Sequence, residues 1–272
     1  MIPQDYLSRS PHFMVMRMCH GIGDWGIISA MPRLLKTKYP NTMVFAPSPE
    51  LIDSSFGSSL SQWSNGKYNS YNIFQHNPYV DDFVDSFPQP VFHDHFRVTD
   101  PQKPNTPLIK EMLRFWRFKD SEIHDCRPEI YFSQEEIKQG DKIISQTLGL
   151  NNKFGCLLLS NRFGTLKCGK FDQDQYNRDT KNISKVLQKY KNLTFFYWSS
   201  KELESYDIIF PDNLIAFGDI SIRLQLYIKT KALVNISNQC GMNHIAAKYS
   251  TCYESQRQFP LKSNFVEGIN YL

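Results

Sequence analysis

FMVMRMCHGIGDWGIISAMPRLLKTKYP, residues 13–40, decides the fold. Residues 13–18 form an apolar run typical of a buried β-strand, and the glycine-containing turn HGIGDWG follows at 20–26. After the turn, apolar residues recur at helical spacing, so the stretch predicts a strand, a tight turn and a helix. TMVFAPS at 42–48 predicts a second strand, and this alternation is typical of a parallel α/β sheet.

The second half of the chain repeats this alternation. FGCLLLS at 154–160 predicts a strand, and helical and strand-like segments then follow one another as far as ALVNIS at 232–237. Strands that alternate with helices over short loops favour a second parallel α/β sheet.

A helical segment separates the two halves. SQEEIKQGDKIISQTLGL at 133–150 predicts a helix that begins with a capping box formed by Ser133 and Glu136. We therefore predict an α/β protein with two Rossmann-like lobes, residues 1–140 and 141–272. Each lobe would contain a parallel sheet, and a ligand would bind in the cleft between the lobes.

Composition excludes several classes of protein. No apolar run approaches the roughly 18 residues that a membrane span requires, and residues 1–13 carry no export or organelle signal. The formal charge of +4, from 31 basic and 27 acidic residues, is too small for dense phosphate neutralisation on nucleic acid. We expect a water-soluble, cytoplasmic protein with at most peripheral membrane association. Arg114, Arg117 and Lys119 are candidates for contact with a membrane surface or an acidic acceptor, and an ordinary amphipathic helix is the alternative.

The cysteines and histidines form no pattern typical of a metal site. The six cysteines lie far apart without a C-x-x-C pair, which argues against a zinc knuckle and a disulfide framework. His93 and His95 flank Asp94 and would share one face of a strand, but no third ligand is near. We therefore expect reduced thiols, no metal and no cofactor.

The first candidate site is the turn GIGDWG at 21–26, which matches G-x-G-x-x-G between a strand and a helix. In dinucleotide-binding folds these glycines admit a pyrophosphate, and an acid about 20 residues later binds the ribose. Here the second strand ends in APS at 46–48 with only Glu50 nearby, so an oxidoreductase lacks its second confirming residue. A plain strand-to-helix turn in which Asp24 caps the helix is the structural alternative.

The second candidate site, NQCGMNHIAA at 238–247, also places a glycine turn between a strand and a helix. A helix that opens near Gly241 would direct free backbone N–H groups at the carboxyl edge of the sheet, where a diphosphate would bind. In the alternative interpretation His244 packs into the turn, and the two alanines only allow close packing of the helix on the sheet.

Together the two turns resemble the paired signatures of the heptosyltransferase-like glycosyltransferases, glycosyltransferase family nine: G-x-G-D before a helix ending L-K-x-x-Y-P, and later N-D-S-G-P-x-H-L-A-A. NPYVDDFVD at 77–85 resembles the family's N-P-x-V-D segment, and FGDISIRLQLYIKTKALVNIS at 217–237 resembles its G-x-x-S-L-x-E-L unit. The resemblance spans about residues 13–250. It implies a GT-B architecture, with the acceptor on the N-terminal lobe and a nucleoside-diphosphate sugar on the C-terminal lobe.

The resemblance implies a catalytic role for Asp24, which matches the acidic residue of the family's first turn. As a general base it would take the proton of the acceptor hydroxyl while that oxygen attacks the anomeric carbon in an inverting transfer. Gly21, Gly23 and Trp25 would then lie on the acceptor side.

The resemblance also implies donor ligands. SNRFGTLKCGK at 160–170 takes the place where the family has a Ser or Thr and a Lys on the donor phosphates, which makes Thr165, Lys167 and Lys170 candidates. A lysine there would neutralise charge on the departing nucleoside diphosphate in place of a divalent ion; solvated loop lysines are the alternative. In the second turn the candidate donor-binding residues are Gln239, Cys240, Gly241, Met242 and His244.

The chain departs from the family pattern in two places. QCGM at 239–242 replaces D-S-G-P, so the acid and the proline are lost, and the segment 249–272 is too short for the family's last strands and helix. We therefore predict a metal-independent enzyme that moves a sugar from a nucleoside-diphosphate sugar to a glycan or glycolipid. The alternative is a protein of the same fold that binds a nucleotide sugar without turnover.

Overall fold

The computed structural model describes residues 12–17, 21–60, 66–86, 91–93, 106–115, 118–149, 153–165, 170–238, 241–255 and 266–272. The chain forms two compact units: unit 1 contains residues 1–132 and 261–267, and unit 2 contains residues 133–260 and 268–272. Both units combine helices with a parallel sheet, which confirms the predicted α/β fold class. Among the described residues, no helix has both the length and the apolar character needed to cross a bilayer.

Unit 1 is built on a parallel sheet with the strand order β3-β2-β1-β4. Its strands and α-helices in the described residues are, in chain order, β1 (His12–Met16), α1 (Ile22–Ile27), α2 (Met31–Lys38), β2 (Met43–Pro47), α3 (Pro49–Leu60), α4 (Asn69–Phe74), β3 (Asp82–Val84), β4 (Val91–His93) and α5 (Leu108–Phe115).

The first strand, β1, lies inside this sheet with neighbours on both sides. Residues 13–16 are buried, which explains why this strand reads as a continuous apolar run rather than as an alternating one. The predicted strand is therefore confirmed.

The helix predicted after β1 is two helices. The glycine turn itself forms α1, and the backbone leaves the helix between Ile28 and Ala30 before α2 begins. Pro32 lies in the first turn of α2, where its missing N–H costs nothing and its fixed φ favours a new helix. The prediction of one helix over this segment was therefore wrong.

Unit 2 is built on a larger parallel sheet with the strand order β10-β9-β8-β5-β6-β7. Its strands and α-helices in the described residues are α6 (Gln134–Leu148), β5 (Phe154–Leu159), α7 (Gln173–Lys189), β6 (Thr194–Ser199), β7 (Leu214–Ala216), α8 (Ile222–Lys231), β8 (Val234–Asn238), α9 (Gly241–Ala246), β9 (Thr251–Ser255) and β10 (Ile269–Tyr271).

The strand order of unit 2 is that of a dinucleotide-binding Rossmann sheet. Numbered from β5 in chain order, the strands lie 3-2-1-4-5-6. The direction of chain winding reverses between β5 and β8, and ligands of open α/β sheets bind at the carboxyl ends of the two strands at this reversal. The residues at these two carboxyl ends are Ser160, which follows β5, and Asn238, the last residue of β8.

The main apolar core of unit 2 lies between α7 and one face of the sheet. Ile183, Val186 and Leu187 of α7 belong to the same buried cluster as Leu157 and Ile236 of the two central strands. Their spacing along α7 gives the helix one apolar stripe, which is what a helix that covers a sheet requires.

Helix α6 begins where the chain enters unit 2. The backbone N–H of Glu136 donates to Ser133 Oγ at 3.1 Å, and the backbone N–H of Ser133 donates to Glu136 Oε2 at 2.8 Å, so the predicted capping box is confirmed. Farther along, a Cβ on Gly140 would lie 2.1 Å from the Tyr227 ring of α8. Only glycine therefore allows this close approach of the two helices.

Two thiols are buried in the row of side chains that crosses the sheet on its other face. Cys156 of β5 and Cys252 of β9 both pair in register with Asn235 of β8, and the side-chain amide of Asn235 donates to the carbonyl oxygen of Lys229. Because one strand separates the two cysteines, they cannot form a disulfide. Burial raises the pKa of the Cys156 thiol to about 12 and that of Cys252 to about 11.

These thiols are expected to resist alkylation in the native protein. At mildly alkaline pH the thiolate is the reactive species, and both burial and the raised pKa suppress it. Mass spectrometry after native iodoacetamide treatment should find Cys156 and Cys252 unmodified, with full modification after denaturation. Native labelling of either residue at the denatured rate would contradict the prediction.

The same thiols make the stability of the fold depend on pH in alkaline solution. An unfolded thiol ionises with a pKa of about 8.5, whereas the folded thiols keep their protons up to about 11 and about 12. The contribution of the protonated thiols to the free energy of unfolding is therefore fully present below the pKa of the unfolded thiol. It is lost as the pH rises through the pKa values of the folded thiols.

Candidate functional site

In unit 1, Asp24 lies in the first turn of α1 next to the end of β1. Its Oδ1 accepts a hydrogen bond from Arg17 Nη2 at 3.1 Å, and its Oδ2 accepts from the backbone N–H of Gly21 at 3.2 Å. The Arg17 side chain is 3% exposed and the Asp24 side chain 27% exposed. Asp24 therefore caps its helix, and part of its carboxylate also remains accessible to solvent.

Gly21 allows this arrangement. A Cβ at this position would lie 2.8 Å from Asp24 Oδ2, which is closer than a carbon and a non-bonded oxygen tolerate. A larger residue would push the carboxylate away from the backbone N–H that it caps. The position of the Asp24 side chain therefore explains why residue 21 is a glycine.

The other residues predicted for the acceptor side are more buried. Gly23 lies in the buried part of α1. The Trp25 ring is fully buried and packs edge to face on Phe74 of α4, with 6.2 Å between the ring centroids. In this structure Trp25 supports the helix that carries Asp24 and is not exposed to a ligand.

In unit 2, the carboxyl ends of β5 and β8 are joined by side-chain hydrogen bonds. Asn238 Oδ1 accepts from the backbone N–H of Ser160 at 2.7 Å, and Asn238 Nδ2 donates to Ser160 Oγ at 2.9 Å. Asn238 is buried. The two loops that leave the winding reversal therefore start from fixed positions, which a preorganised binding site requires.

The loop after β5 forms compact turns. The backbone N–H and the hydroxyl of Thr165 both donate to the carbonyl oxygen of Arg162, at 3.1 and 2.9 Å, so the hydroxyl oxygen keeps lone pairs that can accept. Lys170 is exposed at the end of this loop. Lys167 lies outside the described residues.

The second candidate turn lies partly outside the described residues, which include neither Gln239 nor Cys240. Gly241 and Met242 begin α9 and are half-buried. His244 is buried, and its Nε2 lies 3.1 Å from Glu254 Oε2 of β9. The imidazole thus faces the interior of unit 2, as the packing interpretation expected, while the donor-binding role predicted for the turn stays a prediction.

A buried carboxylate, Asp179 of α7, lies at the same edge of the sheet. It accepts hydrogen bonds from the backbone N–H of Gly164 at 2.9 Å, from Gln175 Nε2 at 2.9 Å and from Ser255 Oγ at 2.7 Å. Burial raises the pKa of this carboxyl group, although the three hydrogen bonds and the charge of Arg178 act in the opposite direction.

Sequence reasoning missed three of these polar residues. Arg17 is a charged residue at the end of an apolar strand, and Asp179 is an acid that shares the apolar stripe of α7 with Ile183. Both residues interrupt a hydrophobic pattern. Such an interruption is a sequence signal for a buried polar residue at a functional or strained site. Ser255 carries no comparable signal.

Metal-ligating groups do not assemble in the described parts of the chain. No three or more His, Cys, Asp or Glu side chains lie close enough there to hold a metal ion. At positions 93–95, the side chain of His93 and all of Asp94 and His95 lie outside the described residues.

Comparison with known proteins identifies the fold. No family model matches the chain, and a search of curated proteins finds no match. A solved glycosyl transferase family 9 structure from Veillonella parvula DSM 2008 is similar over 96% of this chain and 86% of its own, with a TM-score of 0.62 and 9% identity. The ADP-heptose LPS heptosyltransferase II of E. coli covers 96% of this chain and 90% of its own, with a TM-score of 0.49 and 10% identity.

The first of these structures establishes the fold at a level of identity where activity does not transfer. It confirms the two Rossmann-like units that the resemblance implied. For a ligand site, the relevant features of this chain are its strand order and the hydrogen bond that joins the ends of β5 and β8.

Proposed function

We propose that the protein is a glycosyltransferase that moves a sugar from a nucleoside-diphosphate sugar to a hydroxyl of a glycan or glycolipid. The observation that carries the proposal is the Rossmann strand order of unit 2, whose winding reversal is bordered by the hydrogen-bonded pair Ser160 and Asn238. A diphosphate is a common ligand of such an edge. The fold shared with a family 9 glycosyl transferase supports the same assignment.

In the proposed reaction unit 2 binds the donor and unit 1 supplies the base. Asp24 takes the proton of the acceptor hydroxyl, the oxygen forms a bond to the anomeric carbon, and the bond to the nucleoside diphosphate breaks with inversion. Arg17 holds the carboxylate of Asp24 in place. Asp24 is suited to this role because its carboxylate is partly exposed while its other contacts are fixed.

The leaving group gains negative charge as the bond breaks. Thr165, Lys167 and Lys170 belong to the loop after β5, and the two ammonium groups would neutralise the diphosphate without a divalent ion. Gln239, Cys240, Gly241, Met242 and His244 belong to the loop and helix after β8, the other side of the winding reversal. We propose that the reaction takes place in the cytoplasm. It is proposed to need no cofactor and no nucleic-acid partner.

A thermal-shift screen tests donor binding. ADP, GDP, UDP and CDP are added to the full chain with and without EDTA, and NAD and NADP serve as comparison ligands. One nucleoside diphosphate is expected to raise the unfolding temperature in both conditions, because a ligand at 100 times its Kd stabilises the native state by about 2.7 kcal/mol. Stabilisation by NAD or NADP alone, or by none of the six, would reject the proposal; a shift abolished by EDTA would reject metal independence.

One departure in the sequence favours a second candidate. QCGM at 239–242 lacks the acid that the family's D-S-G-P provides, and a nucleotide-sugar-binding protein without turnover would tolerate this loss. Incubation with the sugar conjugate of the stabilising nucleotide separates the two candidates. Release of free nucleoside diphosphate above the spontaneous rate excludes the second one.

A further inference from the structure

Asp179 occupies a position where the fold alone would favour an apolar residue. It is 2% exposed and lies one helical turn before Ile183 on the face of α7 that packs against the sheet. An ionised carboxylate removed from water costs free energy unless hydrogen bonds compensate for the lost solvent. The three donors that surround Asp179 are all neutral groups.

These donors belong to three different segments at the carboxyl edge of the sheet. Gly164 belongs to the loop after β5, Gln175 to the first turn of α7, and Ser255 to the end of β9. Gly164 has a φ of +65°, a conformation that side-chain-bearing residues avoid. One carboxylate therefore holds a left-handed glycine turn, a helix and a strand end together.

We infer that Asp179 is the positioning residue of the donor site. It fixes the loop that runs from Ser160 to Thr165 so that this loop is already arranged for the diphosphate before the ligand binds. This inference rests on the proposed function, because it assigns the loop to the donor. Asp179 itself is buried beneath the loop and acts through Gly164 and Ser255.

A purely structural role predicts a different outcome from a positioning role. If Asp179 only stabilises unit 2, an equally destabilising change elsewhere on the same helix face should weaken nucleotide binding equally. Ile183 provides the matched control, since it is fully buried one turn away and reaches the apolar cluster rather than the loop.

The first experiment measures nucleoside-diphosphate affinity by calorimetry in the full chain. The tightest of ADP, GDP, UDP and CDP for the wild type serves as the probe for Asp179→Ala, Asp179→Asn and Ile183→Ala. Asp179→Ala is expected to weaken binding by about tenfold, because a loop that is correctly arranged only about a tenth of the time lowers the affinity by that fraction. Ile183→Ala is expected to lower the unfolding temperature and keep the affinity within about threefold of wild type.

Asp179→Asn tests the geometry of the contacts. Because it keeps the volume of the side chain, it also provides a result if Asp179→Ala does not fold. Its amide oxygen can still accept from the Gly164 N–H, but its NH2 group cannot accept from Ser255 or Gln175. The expected affinity lies between those of the wild type and Asp179→Ala, so partial rescue supports the inference.

The second experiment needs no ligand. Trypsin cleaves after Arg162, which lies in the loop that Asp179 fixes. Native Asp179→Ala is expected to be cut there about tenfold faster than wild type, because local opening governs cleavage when closing is fast. Ile183→Ala should be cut there at nearly the wild-type rate.

The outcomes separate the inference from the proposed function. If the wild type binds a nucleoside diphosphate and Asp179→Ala binds it equally well, the inference is overturned and the proposed function stands. If the wild type binds none of the four, the proposed function fails and the donor-site role fails with it. Unchanged cleavage after Arg162 in Asp179→Ala overturns the positioning of the loop in either case.

Discussion

Asp24→Asn is expected to reduce sugar transfer by about 100- to 10,000-fold, the range that a general base contributes. The amide cannot take the proton of the acceptor hydroxyl, although it fills the same volume. Nucleoside-diphosphate affinity should remain within about threefold of wild type, because Asp24 belongs to unit 1 and the proposed donor loops belong to unit 2. Initial transfer rates and calorimetry on the same preparation measure both quantities.

The contacts of Asp24 demand a matched control. The substitution weakens the charge interaction with Arg17, so some loss of activity could follow from loss of stability. Asp81 offers a comparison within unit 1: it pairs with Lys36 at 2.6 Å and accepts from the backbone N–H of Val44. Asp81→Asn should lower the unfolding temperature and leave the transfer rate nearly unchanged; wild-type turnover in Asp24→Asn would reject Asp24 as the base.

The largest expected loss of stability follows from Arg223→Ala. Arg223 makes a bidentate ion pair with Glu136, with Nη2 2.8 Å from Oε2, and the two side chains are 4% and 19% exposed. Removal of one partner from a largely buried pair costs about 3 to 5 kcal/mol, since the remaining charge loses its compensation. Urea unfolding followed by circular dichroism should show this decrease in the free energy of unfolding.

An exposed pair with the same geometry is the control for Arg223. Arg114 also binds a carboxylate in bidentate fashion, with 2.7 and 3.0 Å to the two oxygens of Asp120, but the side chains are 32% and 70% exposed. Arg114→Ala should therefore cost at most about 1 kcal/mol. Equal losses for the two arginines would show that burial does not determine the strength of these pairs.

The regular elements of the fold were predictable because their signals are local. The apolar run of β1 and the capping box of Ser133 and Glu136 each specify an element within a few residues. The break between α1 and α2 was missed because the apolar spacing continues through it. Pro32, which marks the start of the second helix, was the signal against a single helix.

The candidate site was less predictable because its contacts link residues far apart in sequence. Asn238 was part of a recognised turn, yet its bond to Ser160 depends on the pairing of β5 with β8, which no local pattern specifies. The link from Asp179 to Ser255 likewise requires α7 to cover β9. Asp24 was predicted as a site residue because its turn is a contiguous motif, while its partner Arg17 was overlooked at the end of an apolar strand.

The path of the chain after β9 has a consequence for the order of folding. Residues 261–267 belong to unit 1, where Glu267 lies 3.3 Å from Lys110, and only then does the chain return to place β10 beside β9. When synthesis has reached residue 260, unit 1 lacks this contact and unit 2 has β9 as an open sheet edge. Such an edge can pair with other chains. We therefore expect a chain that stops at residue 260 to aggregate more readily than one that includes β10, because its sheet edge is the five residues of β9 instead of the three of β10.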